Sequence, residues 1–222
     1  MSAEKSKYPR TYHLPWSPGA TDDDKTHDLR TVREMFEGRE VVITEKLDGE
    51  NTAVYPDGAT HARSLDSAAH PSRDWMRGRA RELASLGIPE GFRLSGENLY
   101  ARHSIAYDRL PSYFVLFGIF DGTGAALSWD EVEEWSLLLD VPTAPVLYRG
   151  EWNERLIREL YPFPSRFSEE GTAEGYVVRT AAGFGPGTFD RHVAKFVRPN
   201  HVTTDQHWMT AAVVPNRLAP RG

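Results

Sequence analysis

The sequence predicts an α+β fold built mainly on antiparallel sheet, and three observations carry that expectation. Short β-type runs stand in neighbouring groups separated by glycine and proline turns. Helical periodicity is confined to a few short segments lying between those runs. Two runs toward the end, 175–180 and 192–198, are joined by Gly183-Phe184-Gly185-Pro186-Gly187, the composition of a hairpin loop.

The elements follow in order. The first dozen residues read as a loose arm. His13-Leu14-Pro15-Trp16-Ser17-Pro18-Gly19 is too punctuated for helix or strand; it reads as an RNA or phosphate contact or, more plainly, as a structural cover. Residues 28–36 predict a short helix, with Leu29, Val32, Arg33 and Phe36 at helical spacing and Gly38 as its stop. Residues 40–45 and 51–55 predict strands around a turn at Gly49, and Pro56-Asp57-Gly58 turns the chain toward another strand. A helix is expected over 72–86, with Trp75, Met76, Arg79, Leu83 and Leu86 near one face and Gly87 closing it. Strands are expected over 92–95 and 113–121, the second almost wholly apolar and therefore central. Ser128-Trp129-Asp130-Glu131 is a capping-box pattern opening a helix that buries Val132, Trp135, Leu138 and Leu139. Residues 153–160 predict one more short helix.

Composition narrows the class. A chain of 222 residues supports one sizeable domain rather than two. No apolar run approaches the roughly 18 residues of a membrane span, and the polar start MSAEKSKYPR lacks a secretory signal. With no cysteine, disulfides and thiolate metal sites are excluded, which fits a cytoplasmic setting. A net charge of −6 argues against an indiscriminate nucleic-acid binder, though not against a locally basic groove. Arg73, Arg77, Arg79 and Arg81, with Arg102, His103 and Arg109, are the candidates; the plainer reading of the first four is the solvated face of a helix.

Five short motifs carry chemistry. In Lys46-Leu47-Asp48-Gly49, a lysine at a strand end beside a glycine turn has its amine free to reach outward. It becomes a nucleophile only when neutral, which desolvation or neighbouring cations favour; the plainer reading is a surface lysine beside a turn. Glu174-Gly175 puts a carboxylate at the mouth of a strand, able to hold a divalent cation or simply edging the sheet. In Ala194-Lys195-Phe196-Val197-Arg198, Lys195 and Phe196 face opposite sides, so Lys195 meets either a nucleotide phosphate or solvent. Ser95-Gly96-Glu97-Asn98 places a glutamate after a strand, where it could accept from a ribose hydroxyl. The run Phe114-Val115-Leu116-Phe117-Gly118-Ile119-Phe120-Asp121 offers a ring for a purine or for the core. No P-loop, dinucleotide, zincin or hydrolase-elbow pattern appears, and no internal repeat.

In this order, Lys46-x-Asp48-Gly49, Arg63, Glu97, the aromatic strand at Phe117, Glu174-Gly175 and Lys195 resemble the motifs of the covalent nucleotidyltransferases: polynucleotide ligases and mRNA capping enzymes. The chain is most similar to the RNA ligase family that includes the second RNA ligase of phage T4, especially its short bacterial and phage members. The likeness runs over 40–198 and is most marked over 96–121. It implies an α+β nucleotidyltransferase (ATP-grasp-like) domain with mainly antiparallel sheets flanked by helices. It further implies ATP-dependent sealing of RNA 5′-phosphate to 3′-hydroxyl ends through lysyl-AMP at Lys46, with Mg²⁺ or Mn²⁺.

The resemblance also implies roles. Lys46 attacks the α-phosphorus; Glu45, Asp48 and Gly49 belong to the nucleotide site, the last two shaping the loop. Arg63 contacts phosphate or the RNA end, with Arg102 and His103 as further RNA contacts. Glu97 holds the ribose, Phe117 stacks on adenine, Glu174 supports the metal and Lys195 binds the α-phosphate. Two departures stand out: Val193 and Val197 flank Lys195 where relatives offer a second lysine, leaving Arg191, His192 or Arg198 as substitutes, and Gly118 stands where relatives carry an acidic residue.

The expected organisation is an arm and HLPWSPG tract over 1–24, the nucleotidyltransferase domain over 25–200, and a tail over 201–222. The 27 residues after Lys195 are too few for an OB-fold domain, favouring RNA ligase over DNA ligase or capping enzyme. In the HVTTDQHW tract, packing is preferred to a metal site. The alternatives are adenylylation of nicked DNA or another acceptor, and an inactive nucleotide- or RNA-binding module. A protein partner supplying RNA-binding surface fits either enzyme.

Overall fold

The computed structural model describes residues 5–65, 70–199 and 213–220. Its strands are β1 (Tyr12–His13), β2 (Glu40–Lys46), β3 (Glu50–Val54), β4 (Thr60–Ala62), β5 (Arg93–Asn98), β6 (Phe114–Phe120), β7 (Val146–Glu151), β8 (Gly175–Thr180) and β9 (Val193–Val197). Its α-helices are α1 (Leu29–Phe36), α2 (Asp74–Ser85), α3 (Trp129–Leu139) and α4 (Glu154–Glu159). The strands form two sheets, in the orders β1-β9-β8-β2-β7 and β4-β3-β5-β6. Every pairing is antiparallel except that of β1 with β9. The predicted α+β class is the observed one, and helices flank both sheets.

Each sheet is hydrophobic on its helix-covered face. Met76, Ala80 and Leu83 of α2 and Trp129, Val132 and Leu139 of α3 share a core with Val54, Leu94, Phe114 and Leu116. Val32, Met35 and Phe36 of α1 and Ile157 of α4 pack with Val41, Ile43, Tyr176, Val178 and Phe196. Burying a side chain of this size contributes roughly 1.5–3 kcal/mol, so these two cores fix the sheets firmly behind whatever lies between them. Local chemistry agrees with the tertiary answer. Asp28 caps α1 by accepting from Thr31 N at 2.7 Å, and the Ser128/Glu131 capping box forms as expected.

Several expectations are corrected. The arm is not loose by residue 12: Tyr12 and His13 pair in parallel with Ala194 and Lys195, a partner that only distant sequence supplies. β7 was not anticipated; it is an edge strand with little burial and so lacks the alternation that marks a strand. The helix expected over 72–86 begins as a 3-10 turn at Pro71–Arg73 before α2. Leu86 and Leu138 are exposed at 55% and 71%: Leu86 falls past the end of α2 as its C-cap, and α3 turns only a narrow stripe inward. Glu97 lies within β5 rather than after it. The HVTTDQHW tract lies outside the described residues.

Residues 213–220 return to the domain. Asn216 donates to Leu99 O at 2.8 Å and accepts from Tyr107 N at 3.0 Å, while Tyr113 donates its hydroxyl to Asn216 O at 3.1 Å. No helix among the described residues is long and apolar enough to cross a membrane.

Candidate active site

Between the inner faces of the two sheets lies a cavity of about 530 Å³. Alternation along the strands decides what enters it. From one sheet come Thr44 and Lys46 on β2, Val177 and Arg179 on β8, and Val193, Lys195 and Val197 on β9. Glu97 on β5 and Phe117 on β6 come from the other, with Arg63, Glu174 and His103 from the loops around them. Residues spread over 46–195 thus share one wall-to-wall space.

Lys46 ends β2 and its Nζ donates to Glu174 Oε2 at 2.6 Å. Burial disfavours the charged amine, but Glu174, Glu97 and Asp48 outweigh that and hold its pKa above the usual lysine value. The expectation from sequence is desolvation or neighbouring cations that lower this pKa. The structure surrounds Lys46 with carboxylates instead, so the resting side chain is an ammonium.

Burial, against the pull of Lys46 and reinforced by Glu174 and Asp48, pushes Glu97 up to about 8. Its Oε1 accepts from Gly49 N at 3.2 Å. Lys195 is pushed down to about 8, first by burial and then by the positive charge of Lys46. The two lysines therefore stand in opposite electrostatic conditions within one cavity.

Asp48 lines the cavity and also does structural work. Its Oδ2 accepts from Ser104 N at 2.8 Å, Ser104 Oγ at 2.6 Å and Ile105 N at 2.9 Å, tying the turn after Lys46 to the loop after β5. Gly49 is required by close approach: a Cβ there would lie 2.6 Å from Asn98 O and 2.7 Å from Leu99 Cδ2. Glu45 borders the cavity, yet its carboxylate is occupied by Ser165 Oγ at 2.5 Å and Arg166 N at 2.9 Å.

Phe117 meets Tyr8 edge to face at 5.2 Å between ring centroids. Beside it, Gly118 leaves open space, since a Cβ there would meet nothing within 4 Å. Of the basic candidates, Arg63 and His103 line the cavity, whereas Arg102 is exposed outside it. Arg73 is not on a solvated face: it makes a bidentate pair with Glu50 and also borders the cavity. Arg77 and Arg79 do pair on the α2 surface, with Asp74 and Glu82. None of Arg191, His192 and Arg198 lines the cavity.

The cavity is also lined by residues with no role in the sequence reading, among them Tyr8, Asp24 and Arg179, and by His13 of the HLPWSPG tract. Arg179 had a readable signal, since it shares a strand face with Gly175 and Val177. Tyr8 and Asp24 had none, and the tract of His13 reads first as a cover, because the arm that carries them is placed by β9.

The fold resembles solved structures of an RNA ligase from Naegleria gruberi. A lysine-to-alanine variant with ATP and Mn superposes with a TM-score of 0.60 at 19% identity, covering 88% of this chain and 62% of that one. The same ligase with pyrophosphate gives 0.58 at 21%, covering 92% and 64%, and a variant with AMP and Mn gives 0.56 at 20%, covering 88% and 62%. The chain therefore spans less than two thirds of the length of these relatives, and the likeness at such identity is one of fold. A search of curated proteins finds no match. The RNA ligase family model matches residues 39–197, which takes in every cavity residue from Lys46 to Lys195, and the chain belongs to the RNA ligase family.

Proposed function

We propose that the chain is an ATP-dependent RNA ligase that forms lysyl-AMP at Lys46 and seals 5′-phosphate to 3′-hydroxyl RNA ends. The observation that carries this reading is the Lys46–Glu174 pair at the mouth of a nucleotide-sized cavity, with Lys195 and Glu97 on its walls. Lys46 Nζ must lose a proton before it attacks, and Glu174 Oε2 at 2.6 Å is the nearest acceptor. The Nζ–P bond forms at the α-phosphorus as the P–O bond to pyrophosphate breaks, while Lys195 offers positive charge to the phosphate. AMP then passes to the RNA 5′-phosphate, and the 3′-hydroxyl displaces it.

In this reading Phe117 stacks on adenine, Glu97 accepts from the ribose, and Arg63 and His103 meet phosphate or the RNA end. Among the described residues no three His, Asp or Glu side chains form a metal cage. Mg²⁺ or Mn²⁺ needs only one or two carboxylates when phosphates supply further oxygens, so the fully buried Glu174 fits as the protein ligand. Such an ion, when bound, neutralises phosphate charge. With a net charge of −6, the reading includes a protein partner that adds RNA-binding surface, in a cytoplasmic setting.

Intact mass before and after incubation with ATP and Mg²⁺ tests it. A gain of one AMP (about 329 Da), abolished by Lys46→Ala, is expected of an activated lysine. A wild type that gains nothing and did not arrive adenylylated overturns the reading.

A further inference from the structure

We propose that His13 and Lys195 together form a cradle for a phosphate group of the nucleotide, and that the Asp24 carboxylate holds that place when no nucleotide is bound. The parallel β1–β9 pairing sets His13 directly opposite Lys195. Paired residues on adjacent strands face the same side about 5 Å apart, and both line the cavity.

The imidazole is fixed rather than free. It is 1% exposed, and its Nδ1 lies 2.7 Å from Ser17 Oγ, which in turn accepts from Val197 N at 2.9 Å. Ser17 is therefore anchored to the strand that carries Lys195. Its single hydroxyl hydrogen has His13 Nδ1 at 2.7 Å and Val197 O at 3.4 Å as acceptors; the shorter contact puts the ring proton on Nε2. That Nε2 is buried and has no hydrogen-bond partner, an uncommon and costly condition for a ring nitrogen unless a ligand meets it.

Asp24 shows what kind of ligand. One of its oxygens is 3.5 Å from His13 Nε2 and the other 3.8 Å from Lys195 Nζ, so one carboxylate spans both groups at distances too long for good hydrogen bonds. Thr21 N and Oγ1 hold the same carboxylate at 3.2 and 3.0 Å, on the rim side. A phosphate, with more oxygens and more charge, satisfies both nitrogens at shorter range. Burial and the nearby lysines press His13 down to about 4, so its contribution at neutral pH is a neutral N–H donor, with the charge coming from Lys195. The HLPWSPG tract thus serves two ends: Leu14 and Trp16 cover the core behind the sheet, and His13 and Ser17 build the cradle.

This inference rests on the proposed adenylylation, and its test separates the two. The ATP dependence of adduct formation is measured by intact mass for wild type, His13→Gln, His13→Asn and Asp24→Asn. Gln carries an amide N–H to the position of Nε2, while Asn keeps only a partner for Ser17. The expected result is an ATP KM raised about tenfold or more in His13→Asn, as for loss of a hydrogen bond to a charged group, largely restored in His13→Gln and lowered in Asp24→Asn. Wild-type ATP dependence in His13→Asn, or equal loss in the Asn and Gln variants, overturns the cradle and assigns His13 a structural role. If the wild type forms no adduct, the ligase reading has failed; calorimetry with inorganic pyrophosphate then tests the cradle alone, which weaker binding by His13→Asn supports and unchanged binding overturns.

Discussion

Lys46 Nζ lies 2.6 Å from Glu174 Oε2, and the sheet register explains why. Lys46 is paired with Gly175 across β2 and β8, which sets Glu174 beside the lysine at the strand mouth. The carboxylate is 1% exposed and the lysine side chain 26%, so the pair is screened from water on one side and open to the cavity on the other. Glu174→Gln is expected to lower the Lys46 pKa and cut adduct formation by about a hundredfold, since a site carboxylate is lost. Mass spectrometry of Lys46 after treatment with an amine-reactive reagent should show faster modification in Glu174→Gln at fixed pH. Unchanged modification would show that Glu174 does not hold the proton.

The two lysines predict a split pH profile. Lys195, pushed down to about 8, loses its charge as the pH rises through that value, so the ATP KM should climb above pH 8. Lys46, held above the usual lysine value, gains neutral amine as pH rises, so kcat for adduct formation should increase over the same range. Lys195→Arg should flatten the KM limb and leave the kcat limb in place. Adduct kinetics from pH 6.5 to 9.5 separate the two.

Glu97 links stability to pH. Its carboxyl titrates at about 8 in the folded chain against an ordinary 4.5. A group raised in this way contributes stability that is fully present below about pH 4.5 and is lost as the pH climbs through 8. Glu97→Gln removes the ionisation. The melting temperature of the variant relative to wild type should therefore rise steadily between pH 5 and 8.5, and a constant difference across that range would exclude the linkage.

Gly49→Ala places a methyl group against Asn98 O and Leu99. Overpacking of this kind costs about 1–3 kcal/mol, and the backbone that must move is the one presenting Lys46. A lowered midpoint in urea, together with a lower rate of adduct formation, is expected. Gly118→Ala, whose Cβ meets open space, should leave the urea midpoint where it is.

What the sequence disclosed and what it hid divide along a physical line. The β8–β9 hairpin, the α3 capping box and the Lys46 turn are written in local signals, namely alternation, a Ser-x-x-Glu spacing and a glycine. Lys46, Glu97, Glu174 and Lys195 were legible because each sits in or directly beside a strand, in a motif that survives without tertiary knowledge. Asp24 was not, and His13 was legible only within a tract whose plainer reading is a structural cover. A two-residue strand has no period, and β1 exists only because β9, some 180 residues later, pairs with it. β7 was missed because a half-exposed edge strand shows no contrast between its faces. The sign of the Lys46 environment was also beyond reach, since it depends on carboxylates from β5 and the β8 mouth converging on one amine.

The return of residues 213–220 gives the site a timetable. Asn216 secures the backbone at Leu99 and Tyr107, on either side of the Ser104–Ile105 amides that hold Asp48. A ribosome releases the chain from its N-terminal side, so the Lys46 turn emerges long before the segment that braces its support. Until residue 216 has cleared the exit tunnel, a nascent chain can hold every strand of both sheets and still lack a settled Asp48 anchor. The brace on the Asp48 anchor is thus completed only after residue 216 has emerged, however early Lys46 appears.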